Sequence, residues 1–303
     1  MQKTITCFAI FMIASTAYLL ITSPLYREPF RCDNHIYSES LGIINLGEVI
    51  GHGSFSLVMS GTAVTSGKSV AVKLGISEMA GVHNDVLILS AVNGSESFPL
   101  YYGSGTTTCA TRLTKNIRRY PYIVLERLGE PVASIMSTIF DREARIEIAL
   151  LIGVQILNGL EELHKLGYII HDLYGQNVLF IKSQKREDYR IKLIDFGEML
   201  SYPAFSYKSL NNQYTSVRED AGLLLSQRDD LERLVFLMME VIDGGLPWRN
   251  YAPEQRAAVK SEFSLVSNSY PSALVAFLDY ARNKLRLSEE IDFVYCRMLL
   301  VSL

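Results

Sequence analysis

The first third of the chain alternates between apolar and polar residues with a period of two. Residues 46–64 alternate around two glycines, and residues 66–76 form a second alternating run. This pattern predicts a β-hairpin with a Gly-rich turn, a second turn at Ser66-Gly67 and a third strand. We expect two more strands, near residues 99–113 and 121–126.

Elsewhere the apolar residues recur every three or four positions, which is the period of an α-helix. Residues 77–94 have this spacing and end at an Asn-Gly pair, and the long run 142–167 repeats Ile and Leu and ends at a glycine. Further helices are predicted over 228–242 and 272–285. Strands followed by helices predict an α+β fold with a small β-rich N-terminal lobe and a larger helical C-terminal lobe.

The N-terminus differs from the rest because residues 4–23 carry no charge. The stretch is long enough to cross a bilayer, so we expect one transmembrane helix and a membrane-associated protein. A cleaved signal peptide and a secreted protein are the alternative, since Ser15-Thr16-Ala17 has the small residues of a cleavage site; a buried core helix is the third. Lys3 on one side, with Arg27 and Arg31 on the other, favours a cytosolic C-terminal side.

These patterns divide the chain into three parts. Residues 1–23 are the predicted anchor or signal peptide, and residues 24–40 are a predicted linker, because they are polar and precede the first alternating run. The two-lobed domain is predicted to span 41–303, with its N-lobe at 41–126 and its C-lobe at 132–303.

Net charge and cysteine spacing limit the kinds of partner and metal site that the sequence predicts. The 303 residues carry a net charge of -3, so no general basic surface is available and no nucleic-acid partner is expected. Cys7, Cys32, Cys109 and Cys296 are scattered without a C-x-x-C pair, which favours neither zinc nor a disulfide framework. Unpaired cysteines suit a reducing cytosol. Asn93-Gly94-Ser95 has the pattern of an N-glycan acceptor, which applies only if that region is lumenal.

Candidate chemistry begins at residues 50–58, IGHGSFSLV. Gly51 and Gly53 let backbone N–H groups approach phosphates without a Cβ in the way, and Val58 returns on the second strand to cover a base. The stretch departs from G-x-G-x-x-G-x-V because Ser56 stands at the third glycine. A plain hairpin turn needs similar glycines, so this motif alone supports either interpretation.

The strand VAVK, residues 70–73, favours the phosphate interpretation. It ends in Lys73, whose spacing from the Gly-rich hairpin places an ammonium over the phosphates. Asp85 on the next helix is the best-placed acidic partner. It is one methylene shorter than the usual Glu, so the pair requires a close helix or a bridging water. A solvated lysine and an exposed helix carboxylate are the alternatives.

Residues 170–181, IIHDLYGQNVLF, have the skeleton of a phosphotransferase catalytic loop. Asp172 can accept the proton of an attacking hydroxyl, and Asn177 can hold a metal ion from the same loop. Asp195, in an Asp-Phe-Gly turn, supplies a second metal ligand. Two Mg²⁺ ions held this way would neutralise the charge that develops on a transferred phosphoryl group. A solvated loop aspartate is the alternative for Asp172 alone.

With these motifs, the chain resembles a eukaryotic-type protein kinase of the casein kinase I group. The resemblance implies a bilobal domain that binds ATP and Mg²⁺ between its lobes and phosphorylates Ser or Thr hydroxyls of protein substrates. It also implies that Asp230 braces the backbone of the catalytic loop. The stretches that carry it are a hinge-like segment at 124–132 and the segments 214–234, 246–248, 270–287 and 292–300.

The motifs and the resemblance together assign the site. Asp172 is the predicted catalytic residue, and Asn177 and Asp195 are the predicted metal ligands. The predicted ATP-binding residues are Ile50, Gly51, His52, Gly53, Ser54, Phe55, Ser56, Val58, Ala71, Lys73, Asp85, Glu126, Leu128 and Leu179.

Four positions depart from the pattern of the resembling family: Ser56, Asp85, His171 in place of an Arg, and Tyr174 in place of a Lys. Every group that contacts metal or proton is present, so the leading expectation is an ATP-dependent Ser/Thr protein kinase of casein kinase I type. The alternative is a catalytically impaired pseudokinase that acts as a nucleotide-binding or scaffolding module. A small-molecule kinase of related fold is the third and least favoured.

Overall fold

The computed structural model describes residues 31–53, 55–76, 81–110, 117–135, 138–182, 189–203, 213–265, 269–286 and 289–301. The apolar stretch 4–23, the start of the predicted linker and Ser54 lie outside the described residues. Among the helices of the described part, none combines the length and the apolar character needed to cross a membrane. The N-terminal hydrophobic helix therefore stays a prediction from sequence.

The described residues fall into two compact units. The first contains those up to Val86 together with Tyr101–Arg127, and the second contains Leu87–Leu100 and those from Leu128 onward. The first unit is rich in strands and the second is mostly helical. This confirms the predicted division of an α+β fold into a β-rich part and a larger helical part.

The first unit is built on an antiparallel sheet. Its middle strand carries Lys73, with the apolar side chains of Val70, Val72 and Leu74 buried around it. The strands are β1 (Arg31–Cys32), β2 (His35–Ser38), β3 (Gly42–His52), β4 (Ser56–Ala63), β5 (Ser69–Gly75), β6 (Tyr101–Ala110) and β7 (Ile117–Glu126). They lie in the order β1-β6-β7-β5-β4-β3-β2, so the Gly-rich hairpin of β3 and β4 adjoins β5, as the alternation predicts.

The second unit consists mostly of helices. Helix α1 (Val82–Ala91) contains the boundary of the two units, because Val86 belongs to the first unit and Leu87 to the second. The other described helices of the second unit are α2 (Val132–Ile135), α3 (Arg142–Lys165), α4 (Val217–Asp220), α5 (Gln227–Asp243), α6 (Pro253–Glu262), α7 (Ser272–Asp279), followed by a π-helical turn (Tyr280–Lys284), and α8 (Phe293–Val301). Its short strands are β8 (Tyr168–Ile169), β9 (Val178–Phe180), β10 (Ile191–Leu193) and β11 (Leu200–Ser201). Strands β9 and β10 pair with each other, as do β8 and β11.

The core of the second unit lies where α3 packs against α5. The side chain of Asp141 caps the start of α3, and Gly167, with φ of 84°, follows its end in a conformation that favours glycine. At the start of α5, the Ser226 N–H donates to the Asp229 carboxylate at 2.8 Å, and the helix is buried along almost its whole length. These interactions set the ends of the two helices that carry His164 and Asp230, which form a buried pair at the catalytic loop.

Residues 87–100 belong to the second unit, although the predicted N-lobe includes them. The Ser95 hydroxyl donates a 2.8 Å hydrogen bond to Glu162 on α3. Phe98 is buried and packs edge-on against Phe196, with ring centroids 5.6 Å apart. Both contacts join residues far apart in sequence, so local periodicity cannot reveal them.

Two predictions for the start of the domain are wrong. The predicted linker 24–40 contains β1 and β2 of the sheet, and Cys32 forms a disulfide with Cys109, although the cysteine spacing did not favour one. Strand β1 pairs antiparallel with β6, and its register sets the two cysteines opposite each other. The pairing is hidden in the sequence because 77 residues separate the cysteines.

The disulfide should be a large contribution to stability. A bridge that closes a loop of 77 residues removes enough chain entropy from the unfolded state to stabilise the fold by about 4 kcal/mol. We expect the Cys32→Ala variant to lose about this free energy of unfolding in urea titrations under oxidising conditions. Dithiothreitol should destabilise the native sequence to a similar degree and leave the variant unchanged. Equal urea midpoints for the two oxidised proteins would contradict the prediction.

Candidate active site

The Gly-rich turn is a tight hairpin between β3 and β4. The Gly53 N–H donates to the Ser56 carbonyl oxygen at 2.9 Å. A Cβ built on Gly53 would lie 2.8 Å from the Ser56 hydroxyl, whereas a Cβ on Gly51 would make an ordinary 3.5 Å contact with Val58. The buried Ser56 therefore closes the turn, and the need for glycine is stronger at position 53 than at position 51.

Lys73 lies on β5, with Val58 of β4 and Ile123 of β7 as its neighbours across the sheet. Its Nζ lies 2.7 Å from Oδ2 of Asp85 on α1, and the two side chains are only 9% and 1% exposed. The shorter Asp therefore reaches the lysine directly, without a bridging water. A buried, hydrogen-bonded pair of this kind fixes the position of the ammonium group.

The other predicted nucleotide-binding residues are divided between the two units. Ala71 lies on β5 between Ser60 and Leu125, and Glu126 ends β7 opposite Val70. Others of the first unit lie along or beside the hairpin, and these are Ile50, His52, Phe55 and Val58. Ser54 is outside the described residues.

Two predicted nucleotide-binding residues belong to the second unit. Leu128 is buried there, and Leu179 is half-buried on β9 and forms a bridge with Pro131. The Gly129 N–H donates to the Phe180 carbonyl at 2.8 Å. The segment that begins at Leu128 is thus attached to β9.

The catalytic-loop residues also lie in the second unit. The Asn177 amide donates to the Asp172 carbonyl oxygen at 3.0 Å and to the Asp172 carboxylate at 3.3 Å. The Ile194 N–H donates to the Asn177 carbonyl at 3.0 Å, which ties the residue before Asp195 to the loop. Asn177 therefore connects the segments that carry Asp172 and Asp195.

Asp172 has the properties of a proton acceptor. Burial and then the charge of Asp195 raise the pKa of Asp172 to about 6, against the opposing effects of His171 and the Asn177 hydrogen bond. At neutral pH the carboxylate is ionised, but its pKa is close enough to the working range for efficient proton transfer. A carboxyl group with this environment suits a general base.

Asp230 on α5 holds the catalytic loop in place. Its carboxylate is fully buried and accepts hydrogen bonds from the Ile170 N–H at 2.9 Å and the His171 N–H at 3.4 Å. It also bonds with His164 Nε2 at 2.9 Å and accepts from Arg233 at 2.9 Å. The bracing role implied by the resemblance is confirmed.

Glu219 extends this network, and sequence reasoning missed it. His171 Nε2 lies 2.8 Å from Glu219, and Arg233 donates to the other oxygen of the same carboxylate at 2.5 Å. Burial opposes ionisation, but the His171 hydrogen bond and the Arg233 charge outweigh it and lower the pKa of Glu219 to about 2. One part of this network has a signal in the sequence, because Asp230 and Arg233 are three residues apart on one helix and can therefore interact. Glu219 has no such signal, because it lies on a separate short helix.

Tyr174 occupies the position at which the resembling family has a lysine. Its ring packs against Tyr214, with centroids 5.5 Å apart, and the Tyr214 hydroxyl donates to Glu240. Burial, followed by the charges of Asp172 and Asp195, raises the pKa of Tyr174 to about 12. Tyr174 is therefore neutral at physiological pH and adds no positive charge beside the catalytic loop.

Comparison with known proteins identifies the family of the domain. A family model of the protein kinase domain matches residues 44–212, which is more than half of the chain. The chain belongs to the protein kinase domain family. The solved structure of vaccinia related kinase 3 is similar to this protein kinase domain, with a TM-score of 0.71 over 95% of this chain and 94% of that chain. At 16% sequence identity, this likeness shows the fold alone.

The donor set of this protein kinase domain fits a magnesium-bound nucleotide. Asn177 and Asp195 offer amide and carboxylate oxygens, which are the ligands that Mg²⁺ prefers. The hairpin has glycine at position 53, where a Cβ would meet Ser56, and backbone N–H groups of such turns bind phosphates. Residues of both units thus have the chemistry that ATP and Mg²⁺ require.

The bonds of Glu219 with His171 and Arg233 make the free energy of unfolding of the kinase domain depend on pH. The folded pKa of Glu219 is about 2 against an ordinary value of 4.5. Its stabilisation is therefore fully present above pH 4.5 and is lost as the pH falls towards 2. This amounts to about 3 kcal/mol of the free energy of unfolding. Urea titrations followed by the fluorescence of the single, buried Trp248 can measure it.

The variant Glu219→Gln should be less stable at pH 7 and should lack this part of the acid-dependent loss. Glu254→Gln, which changes an exposed carboxyl on α6, is the matched control and should follow the native curve. Parallel pH curves for the native protein and Glu219→Gln would show that the network does not contribute.

Proposed function

We propose that this chain is an ATP-dependent Ser/Thr protein kinase of casein kinase I type. The observation that supports the proposal most directly is the loop cluster of Asp172, Asn177 and Asp195, held by the buried Asp230. The buried pair of Lys73 and Asp85 in the first unit supports it further. Both arrangements have the residue types that phosphoryl transfer needs.

Asp172 is the proposed general base. Its carboxylate would accept the proton of a Ser or Thr hydroxyl of a protein substrate while that oxygen attacks the γ-phosphorus of ATP. The hydrogen bond that the Asn177 amide donates to the Asp172 carboxylate orients this carboxylate for the step. Burial raises the pKa of Asp172, which makes its carboxylate a better proton acceptor while leaving it ionised at neutral pH.

Asn177 and Asp195 would hold Mg²⁺, which neutralises charge on the phosphates during transfer. Lys73 would contact the phosphates, with Asp85 fixing its direction. The Gly-rich hairpin of the first unit would bind the phosphates through its backbone N–H groups. In the second unit, Leu128 and Leu179 are the proposed contacts of the base. These roles follow the order and spacing of the motifs along the chain.

A catalytically impaired pseudokinase is the second candidate, and the environment of Tyr174 favours it. A neutral phenol stands where the resembling family supplies a cation, and its ring is packed against Tyr214. Losing one charge-stabilising donor costs about 10²–10³ in rate. A pseudokinase would bind Mg-ATP without turning it over.

A turnover assay separates these functions. We expect Asp172→Asn in the full chain to lower autophosphorylation and ATP hydrolysis by about 10²–10⁴, which is the usual contribution of a general base. Asp279→Asn, which changes an exposed carboxyl on α7, is the control and should keep native rates. Mg-ATP should raise the melting temperature of all three proteins. If Mg-ATP stabilises the native protein and Asp279→Asn but neither of these two turns it over, the pseudokinase is supported and the kinase is rejected.

The partner of Lys73 can be tested through nucleotide affinity. Asp85→Asn removes the carboxylate charge that lies 2.7 Å from the ammonium, and a hydrogen bond between charged groups contributes about 1.5–3 kcal/mol. We expect at least about a tenfold weaker affinity for Mg-ATP, measured by calorimetry. Asp85→Glu restores the usual kinase residue and should retain affinity. Unchanged binding by Asp85→Asn would exclude the pair from nucleotide binding.

A further inference from the structure

We propose that Asn93 is an N-glycan acceptor and that the kinase domain matures in the oxidising lumen of a secretory pathway. The first support is the disulfide of Cys32 and Cys109, which joins β1 to the sheet. Disulfides of this structural kind form and persist in secretory and extracellular compartments, whereas cytosolic thiols are kept reduced. The expectation of a reducing cytosol rested on unpaired cysteines, and two of them are paired.

The remaining cysteine of the described residues is consistent with that environment. Cys296 is fully buried, and burial raises the pKa of its thiol to about 12. A protonated, buried thiol neither oxidises readily nor exchanges with disulfides. The described part of the domain therefore presents no reactive thiol that an oxidising lumen would modify.

The second support is the position of the Asn93-Gly94-Ser95 triplet. It lies in the turn directly after α1, where Asn93 and Gly94 are exposed. Gly94 has φ of 97°, and a Cβ built on it would meet nothing within 4 Å. A glycan on the Asn93 amide would therefore extend from an open turn rather than from a packed surface. The triplet is also the single N-x-S/T pattern in the sequence.

The hydrogen bonds of Ser95 indicate that the glycan is transferred before the domain folds. In the folded domain its hydroxyl donates to Glu162 at 2.8 Å and accepts from the Ser97 N–H at 3.1 Å. The hydroxyl that identifies an acceptor is thus engaged after folding, so transfer belongs to the nascent chain. In that step the Asn93 Nδ2 bonds to C1 of an oligosaccharide and loses one proton. The C1–O bond to a lipid-linked pyrophosphate donor breaks, and the pyrophosphate leaves with the electron pair.

The apolar stretch 4–23, predicted from sequence as an anchor or signal peptide, is the kind of segment that directs a chain to this lumen. The flanking charges favour the opposite orientation, but only by the difference between Lys3 and the pair Arg27 and Arg31. A disulfide in the domain itself is the stronger indication of compartment.

The full chain should be expressed in a eukaryotic cell, and its glycan measured by mobility and peptide mass before and after amidase treatment. The native protein and Ser95→Thr should each carry one glycan, whereas Asn93→Gln and Ser95→Ala should carry none. Cys32 and Cys109 should be alkylated in denaturant only after reduction.

The matched control is Val64→Asn, which creates a second acceptor with Thr65 and Ser66 in an exposed turn after β4. This variant should carry two glycans. A glycan at position 64 without one at Asn93 would place the domain in the lumen and reject Asn93 as the acceptor. Absence of glycan at both positions, or alkylation of Cys32 and Cys109 without reduction, would overturn the proposal altogether. None of these outcomes depends on kinase activity.

Discussion

The site in the second unit depends on one buried carboxylate. Asp230 is fully buried and bonded to two backbone N–H groups, an imidazole and a guanidinium. A buried charge is tolerated only when its bonding capacity is used, because desolvation otherwise costs several kcal/mol. These bonds therefore stabilise the carboxylate and fix the backbone of the catalytic loop together. Since Asp172 follows directly, α5 fixes the backbone that leads into it, and the Asn177 amide of the loop then orients its carboxylate.

His171 shows how the chain adapts this arrangement. It has φ of 60°, a left-handed conformation that residues other than glycine rarely adopt. The cost is offset by its backbone bond to Asp230 and its ring bond to Glu219. A glutamate of the chain itself, Glu219, therefore faces the ring that stands where the resembling family has an Arg, and it holds the residue before Asp172 in place.

The parts predicted well from sequence are those with local signals. Alternation around glycines identified the β3–β4 hairpin, and Ile and Leu periodicity identified α3, because side-chain burial imposes those periods. Lys73 and Asp85 form the expected pair because a strand and the next helix bring them together. The sequence patterns did not predict the Cys32–Cys109 disulfide, the hydrogen bonds of Glu219 or the attachment of residues 87–100 to the second unit. Each depends on pairing between distant segments, which periodicity cannot encode.

Reduction of the disulfide and acidification act on different parts of the protein. The disulfide joins β1 to β6 in the first unit, whereas the catalytic loop is held by hydrogen bonds and ion pairs in the second. Reduction of the disulfide leaves every bond to Asp230 and Glu219 chemically unchanged, and acid leaves the disulfide intact. Loss of activity through reduction would therefore have to act through the sheet that carries Lys73. Loss of activity through acid at the pKa of Glu219 would act through the loop that carries Asp172.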